Sequence, residues 1–321
     1  SILLVALVVV ALASGRYPLS PVEVGAAVRG RLTGQVTTTT ADAVVWQIRA
    51  PRVAVALVVG AALSVAGAAF QHIFRNPLVA PDTLGVSSGA ALGAVIAIFA
   101  GASALAIETS AFAGGLVAAG SVMLIASRLR AHEPIVTLIL TGIVVAGLLG
   151  AILSMLKLLA DPWNQLPAIT FWLMGSFSAV TFAELMRVLP VVAVAVVALA
   201  SLAWRINLLA LPDDDARALG VDTRVLRGVV IVVATLMTAA SVAVSGVVGW
   251  VGLIVPHMAR LIVGPDFSRL LPTAALLGAA FMLAMDTLAR SLAPVEIPPG
   301  ILTAFVGTPV FIALLARTAT R

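Results

Sequence analysis

The stretch RNPLVAPDTLGVSSGAALGAVIAI, Arg75 to Ile98, interrupts an apolar chain with an arginine, an asparagine and two prolines, then resumes with a glycine every fourth residue. Pro77 and Pro81 each remove a backbone donor and hold the residue before them out of the helical region. One helix therefore ends near Arg75, the chain turns, and a second helix begins near Leu84. Gly85, Gly89 and Gly93 are four apart, so they share one helical face. A smooth stripe of this kind lets helix backbones approach closely where lipid offers no hydrophobic gain. Helix, tight turn, helix is thus the unit from which the fold is built.

Working outward, 61% of the residues are hydrophobic, 10% are charged, and the mean hydropathy is +1.16. A soluble domain is about half apolar and about a quarter charged. No soluble fold hides this much apolar surface, so the chain reads as a polytopic membrane protein. The net charge of +5 comes from scattered arginines, with no basic block to bind nucleic acid. The absence of cysteine excludes disulfides and thiolate metal sites. The first apolar run, Ile2 to Ala13, is shorter than the roughly 20 residues a span needs. It is either a signal-peptide core or a first transmembrane helix with its leading residues missing; the lack of a basic n-region favours the helix.

Apolar runs fall near 1–14, 53–73, 84–106, 109–127, 135–159, 188–204, 225–245, 249–263, 271–292 and 300–316. Only helices satisfy their backbone groups in lipid at these lengths. The expected fold is an all-α polytopic bundle of ten transmembrane helices, one transmembrane domain over 1–321. Polar interruptions lie at 15–50, 158–187 and 205–224. Starting inside and alternating places eleven of the nineteen cationic residues in the cytoplasm and eight outside, a weak excess of the expected sign.

Catalytic patterns are missing. His72, His132 and His257 have no metal-ligand spacing, and His132–Glu133 runs into Pro134. No nucleophile elbow or Walker loop occurs, and Lys157 follows no glycine-rich turn, so the chain does not itself hydrolyse ATP. Asp286 and Arg290, four apart on one helix, read either as an ion pair or as part of a proton relay. Further small-residue faces occur at Gly60, Ser64 and Ala68 and around Gly246, Gly249 and Gly252.

The most informative polar segment is LLALPDDDARALGVDTRVLRG, Leu208 to Gly228. Asp213, after Pro212, is placed to cap a short helix whose N-terminal end Asp214 and Asp215 also favour. Gly220 ends that helix as a left-handed cap, and Asp222 or Thr223 caps the next. With Leu219 and Val221 expected to be exposed, the segment reads as a docking knob rather than a plain connecting loop.

Four segments carry a family resemblance: RNPLVAPDTLGVSSGAALGA at 75–94, LLALPDDDARALGVD at 208–222, GWVGLIVPHMARLIVGPDFSRLLP at 249–272, and EIPPGILTAFVGTPVFIALL at 296–315. In order and over nearly the whole chain, they resemble the permease subunits of type II ABC importers for iron-siderophores, haem and cobalamin. The resemblance implies ten helices in the bacterial inner membrane and a pair of permeases, most simply a homodimer. It also implies two ATP-binding cassette subunits below and a periplasmic or lipid-anchored binding protein above. ATP and Mg would sit on the ATPase subunits, and this chain would bind no cofactor.

By the same resemblance, 208–222 is the coupling helix, with Asp213, Ala216, Arg217, Leu219 and Gly220 passing on ATP-driven closure and the turn from Gly264 to Arg269 adding a contact. WQIRAPRVAVAL at 46–57 resembles the segment whose arginines meet acidic residues of the binding protein. Arg49 and Arg52 fit those positions, and Arg290 fits a third unless it partners Asp286. The substrate path would be lined by Ser154, Met155 and the segment 169–178, including Phe171, Trp172 and Met174, which read equally as core or interface residues. Gly85, Gly89 and Gly93 would be helix packing, with Arg75 and Asn76 closing the turn. Iron-siderophore or haem is the first expectation for cargo, cobalamin or molybdate the alternative. An ion-driven secondary transporter and an intramembrane enzyme are the rival classes.

Overall fold

The computed structural model describes residues 2–15, 17–34, 39–129 and 134–319; the readings that involve Arg16, Arg130, His132, Glu133 and Arg321 lie outside the described residues. Every described element is helical. The order is α1 (Ile2–Ala13), α2 (Pro21–Leu32), α3 (Thr40–Ala43), a π-helical turn (Val44–Arg49), α4 (Ala50–Ile73), a 3-10 turn (Pro81–Leu84), α5 (Val86–Phe99), α6 (Ala104–Arg128) and α7 (Pro134–Leu159). It continues with α8 (Gln165–Met174), α9 (Phe182–Ser201), α10 (Ala203–Leu208), α11 (Asp213–Ala218), α12 (Thr223–Ser245), α13 (Val251–Val263), α14 (Phe267–Ala289) and α15 (Pro299–Ala319).

Most apolar runs fall on one helix each, but 84–106 covers α5 and the first residues of α6, and 188–204 runs from α9 into α10. Among the described residues six helical stretches are long and apolar enough to cross a bilayer: the continuous Thr40–Ile73, α6, α7, α9, α12 and α14. The helices α1, α5, α13 and α15 are shorter apolar segments. The second run begins earlier than its hydropathy indicated, because α3 and the π turn feed straight into α4. Pro51 explains that turn. It has no N–H to donate and its ring crowds the carbonyl four residues back, so the helix widens and Ala50 N–H reaches Val45 O five residues back.

Side-chain size sorts the helices. The α4 sequence, rich in Ala, Gly, Val and Ser, lies at the centre and is almost wholly buried. A Cβ on Gly60 would strike Gly278 O of α14, and one on Gly67 would strike Gly252 O of α13. By contrast α7 is built from large aliphatics and is peripheral, with Leu140, Val144, Leu148 and Ile152 exposed. Small residues permit backbone contact in the core, and large ones meet what surrounds the bundle.

The opening stretch behaves as expected in outline but not in detail. Gly85 is not on the packed stripe: at φ 72° it is the left-handed N-cap of α5. Gly89 and Gly93 do form the close seam, where a Cβ would strike Gly114 O and Ser110 O of α6.

Candidate functional site

Two polar assemblies, one at either end of α4, join segments distant in the sequence; a smaller ion-pair group joins Arg187 to Glu108 and Glu184. The first is the knob around α11. Its three aspartates crowd the first turn, and the helix ends in a Schellman motif: Gly220 N–H donates to Arg217 O at 2.9 Å and Val221 N–H to Ala216 O at 3.1 Å. Gly220 holds the left-handed φ of +81° this requires. Asp222 then caps α12 by accepting from Arg224 N–H and Val225 N–H.

This geometry corrects part of the sequence reading. Val221 is buried in the main hydrophobic core, because in a Schellman motif the residue beyond the cap folds back onto the helix, here with its N–H on Ala216 O; Ala216 itself is fully buried. Ala216 therefore packs the knob internally and offers no surface to a partner. Nor does the Asp213 side chain cap α11. Pro212 stands at the cap position and makes no side-chain hydrogen bond. The residues that face outward are Asp214, Asp215, Arg217, Ala218, Leu219 and Gly220.

Instead, Asp213 braces the knob. Arg227 of α12 donates Nη1 to Oδ2 at 2.9 Å and Nη2 to Oδ1 at 2.7 Å, a bidentate pair. Arg75 Nη2 lies 3.6 Å from Oδ1. Arg75 also donates Nε to Leu209 O at 2.9 Å and Nη2 to Leu211 O. These hydrogen bonds, chiefly from Arg227, hold the Asp213 carboxyl below the usual carboxylate range. Beside the knob, Asn207 donates to Asp266 Oδ1 at 2.7 Å and accepts from Phe267 N–H at 2.7 Å, tying α10 to the start of α14.

The second assembly, at the other end, contains Arg49, Arg52 and Arg290, all less than a tenth exposed, around the fully buried Asp286. Arg52 donates Nε to Asp286 Oδ1 at 2.8 Å and pairs with Glu296 at 2.5 Å. Arg290 Nε lies 3.3 Å from Asp286 Oδ2, the expected pair, and its other nitrogens donate to Ala11 O and Ser14 O at 2.6 Å. Arg49 donates to Leu12 O at 2.6 Å, to Ala13 O at 2.9 Å and to Tyr17 O. The free rim charges expected from sequence are thus not present as such. The last carbonyls of α1 have no intrahelical donors, and two of the arginines turn inward to supply them.

The residues read as a substrate path do not converge. Phe171 and Trp172 line a cavity of about 400 Å³ with Glu108, Ser176 and Ser178, whereas Met174 lines a separate groove of about 750 Å³ with Trp250 and Phe305. Ser154 donates back to Gly150 O of its own helix, and Met155 is exposed on α7; neither lines these cavities.

The sequence reading missed Arg227, Glu296 and the Asn207–Asp266 tie, and it took Arg75 for a turn residue only. Pairs so far apart obey no spacing rule. The one local signal was an arginine in the turn where a glycine would be expected.

The chain belongs to the FecCD transport family, which matches residues 3–317, and the relatives are permeases of ABC importers. It is 41% identical to the molybdate import system permease protein MolB of Haemophilus influenzae over 99% of this chain and 94% of that protein. Against the cobalamin import system permease protein BtuC of Halobacterium salinarum it is 43% identical, covering 86% and 74%. It superposes with a TM-score of 0.88 at 40% identity on an inward-facing structure of a metal-chelate type ABC transporter, covering 98% of this chain and 97% of that one. Other relatives are named for hemin and iron chelates. The four quoted segments had pointed to this family.

Proposed function

We propose that this chain is the permease of an ATP-driven importer of a metal chelate, working as a homodimer with ten membrane crossings per copy. In this reading the knob end faces the cytoplasm. Leu219, with Arg217 and Gly220, enters a cleft of a separate ATP-binding cassette subunit, which holds ATP and Mg. The observation that carries the reading is the combination at α11: an exposed apolar tip on a helix too short to stand alone, braced by Arg227 of the next helix and by Arg75 from the turn after α4. A connecting loop needs no such bracing.

The opposite end receives a periplasmic or lipid-anchored binding protein. Arg49 and Arg290 shape that surface through α1, while Arg52 shares its guanidinium with Glu296, the more accessible carboxylate. An acidic residue of the binding protein would compete with Glu296 for Arg52. The exposed face of α7 is covered by the second permease or by lipid, with the path between the two copies.

Iron-siderophore or haem remains the first proposal for cargo. Molybdate is the second reading, favoured by a relative that is 41% identical and matches across 94% of its length. The test is uptake into liposomes holding the permease with its ATPase subunits and binding protein. ATP-dependent uptake of one of these cargoes supports the reading. Uptake by the chain alone, driven by a proton or sodium gradient, would replace it with the secondary-transporter alternative.

A further inference from the structure

Resting on the coupling role of α11, we infer that Arg75 is a positioning residue that carries motion from the knob into the α4–α5 turn and so into the packed centre of the bundle. Three observations converge. First, α4 ends in a Schellman motif of its own: Arg75 N–H donates to His72 O and Asn76 N–H to Gln71 O, both at 3.2 Å. Arg75 occupies the left-handed position at φ 49°, where glycine is the unstrained choice and where α11 does use glycine. A side chain kept in that conformation points to a use for the side chain.

Second, the guanidinium supplies that use. It bonds Leu209 O and Leu211 O, the carbonyls leading into the knob, and lies 3.6 Å from Asp213 Oδ1. Third, Asp213 is gripped from the other side by Arg227. The knob is therefore strapped both to α12, its neighbour in sequence, and to the end of α4, the most deeply buried helix. Of these two straps, the one from Arg75 reaches the α4–α5 segment, beyond which Gly89 and Gly93 of α5 pack without clearance on α6. A pull on Arg75 acts on the turn that leads into α5, and because the α5–α6 seam has no slack, movement of α5 is passed on to α6.

Arg75→Gly tests this cleanly, since glycine relieves the left-handed backbone while removing the strap. Amide hydrogen exchange is measured on the full permease–ATPase complex in nanodiscs, with and without ATP and vanadate. In the native complex, trapping ATP is expected to change exchange both at 213–222 and at 76–85. In Arg75→Gly the change at 213–222 remains while that at 76–85 falls about fivefold. The isolated variant chain melts no lower than the native one. Asp213→Asn is expected to weaken transmission in the same direction, and adding it to Arg75→Gly produces less than the sum of the two effects.

Undiminished transmission to 76–85 in Arg75→Gly overturns the inference. So does a lower melting temperature of the isolated variant chain, which would make Arg75 a structural residue alone. If the native complex shows no ATP-dependent change at 213–222, the failure lies with the coupling role of α11 itself.

Discussion

Arg227 grips Asp213 through both carboxylate oxygens, at 2.7 and 2.9 Å, and so joins the first residue of α11 to the second turn of α12. The pair is partly exposed, yet its fork geometry fixes direction as well as distance. It makes α11 an extension of α12 rather than a loose loop between crossings.

The sign of its pH dependence follows. A carboxyl whose folded pKa is depressed contributes stability that is present above its unfolded value, about 3.9, and is lost as pH falls through the lower folded value. Exchange at 213–222 is therefore expected to stay slow in the native chain at pH 4. Arg227→Gln returns Asp213 toward the ordinary range and so removes most of this pH dependence: its exchange at 213–222 should already be faster at about pH 7 and change less than the native chain's below about pH 4. Identical pH profiles in the two proteins would show that the pair contributes nothing to holding the knob.

The α5–α6 seam predicts a steric cost. Gly93→Val places a branched side chain against Ser110 O, and Gly89→Val one against Gly114 O. Each should destabilise the chain by about 1–3 kcal/mol, read as a lower thermal midpoint in detergent. Gly120→Ala, on the same α6 but in open space, is the control and should leave the midpoint in place.

At the opposite end, Asp286 is fully buried between Arg52 and Arg290. Asp286→Ala leaves two buried guanidinium groups short of a counter-charge and should cost about 3–5 kcal/mol, measured as loss of the folded, monodisperse protein. A loss no greater than that of Gly120→Ala, which is expected to be none, would mean that water, not Asp286, balances those arginines.

Glu296→Gln keeps the fold and weakens the competitor for Arg52. Its expected effect is tighter binding of an acidic binding protein, most marked at low salt because charge interactions across an accessible surface are screened. Arg52→Glu should act in the opposite direction. Unchanged affinity at low salt in Glu296→Gln would remove Arg52 from the docking surface.

How much of this was legible depends on how local each signal is. Gly220 and Asp222 marked the end of α11 and the start of α12 because caps act within a few residues, and the structure has both. The turn at Pro77 and Pro81 was equally plain. Gly85 was misplaced because a glycine on a helical period and a glycine at a helix cap look alike in one dimension. Val221 was read as exposed because its burial comes from the fold-back of the Schellman motif, not from hydropathy. The inward arginines were not legible, since Arg49 and Arg290 answer carbonyls of α1, and Arg75 answers carbonyls more than 130 residues along the chain.

The central claim is that the tip of α11 is where a separate ATPase takes hold, and the lack of any native cysteine allows a direct test. Leu219→Cys is labelled with a membrane-impermeant maleimide in intact spheroplasts and in inside-out vesicles, before and after the ATPase subunit is stripped and restored. The account predicts labelling in stripped inside-out vesicles, protection when the subunit returns, and none in spheroplasts. Labelling from the outside, or full labelling with the ATPase subunit in place, would contradict it.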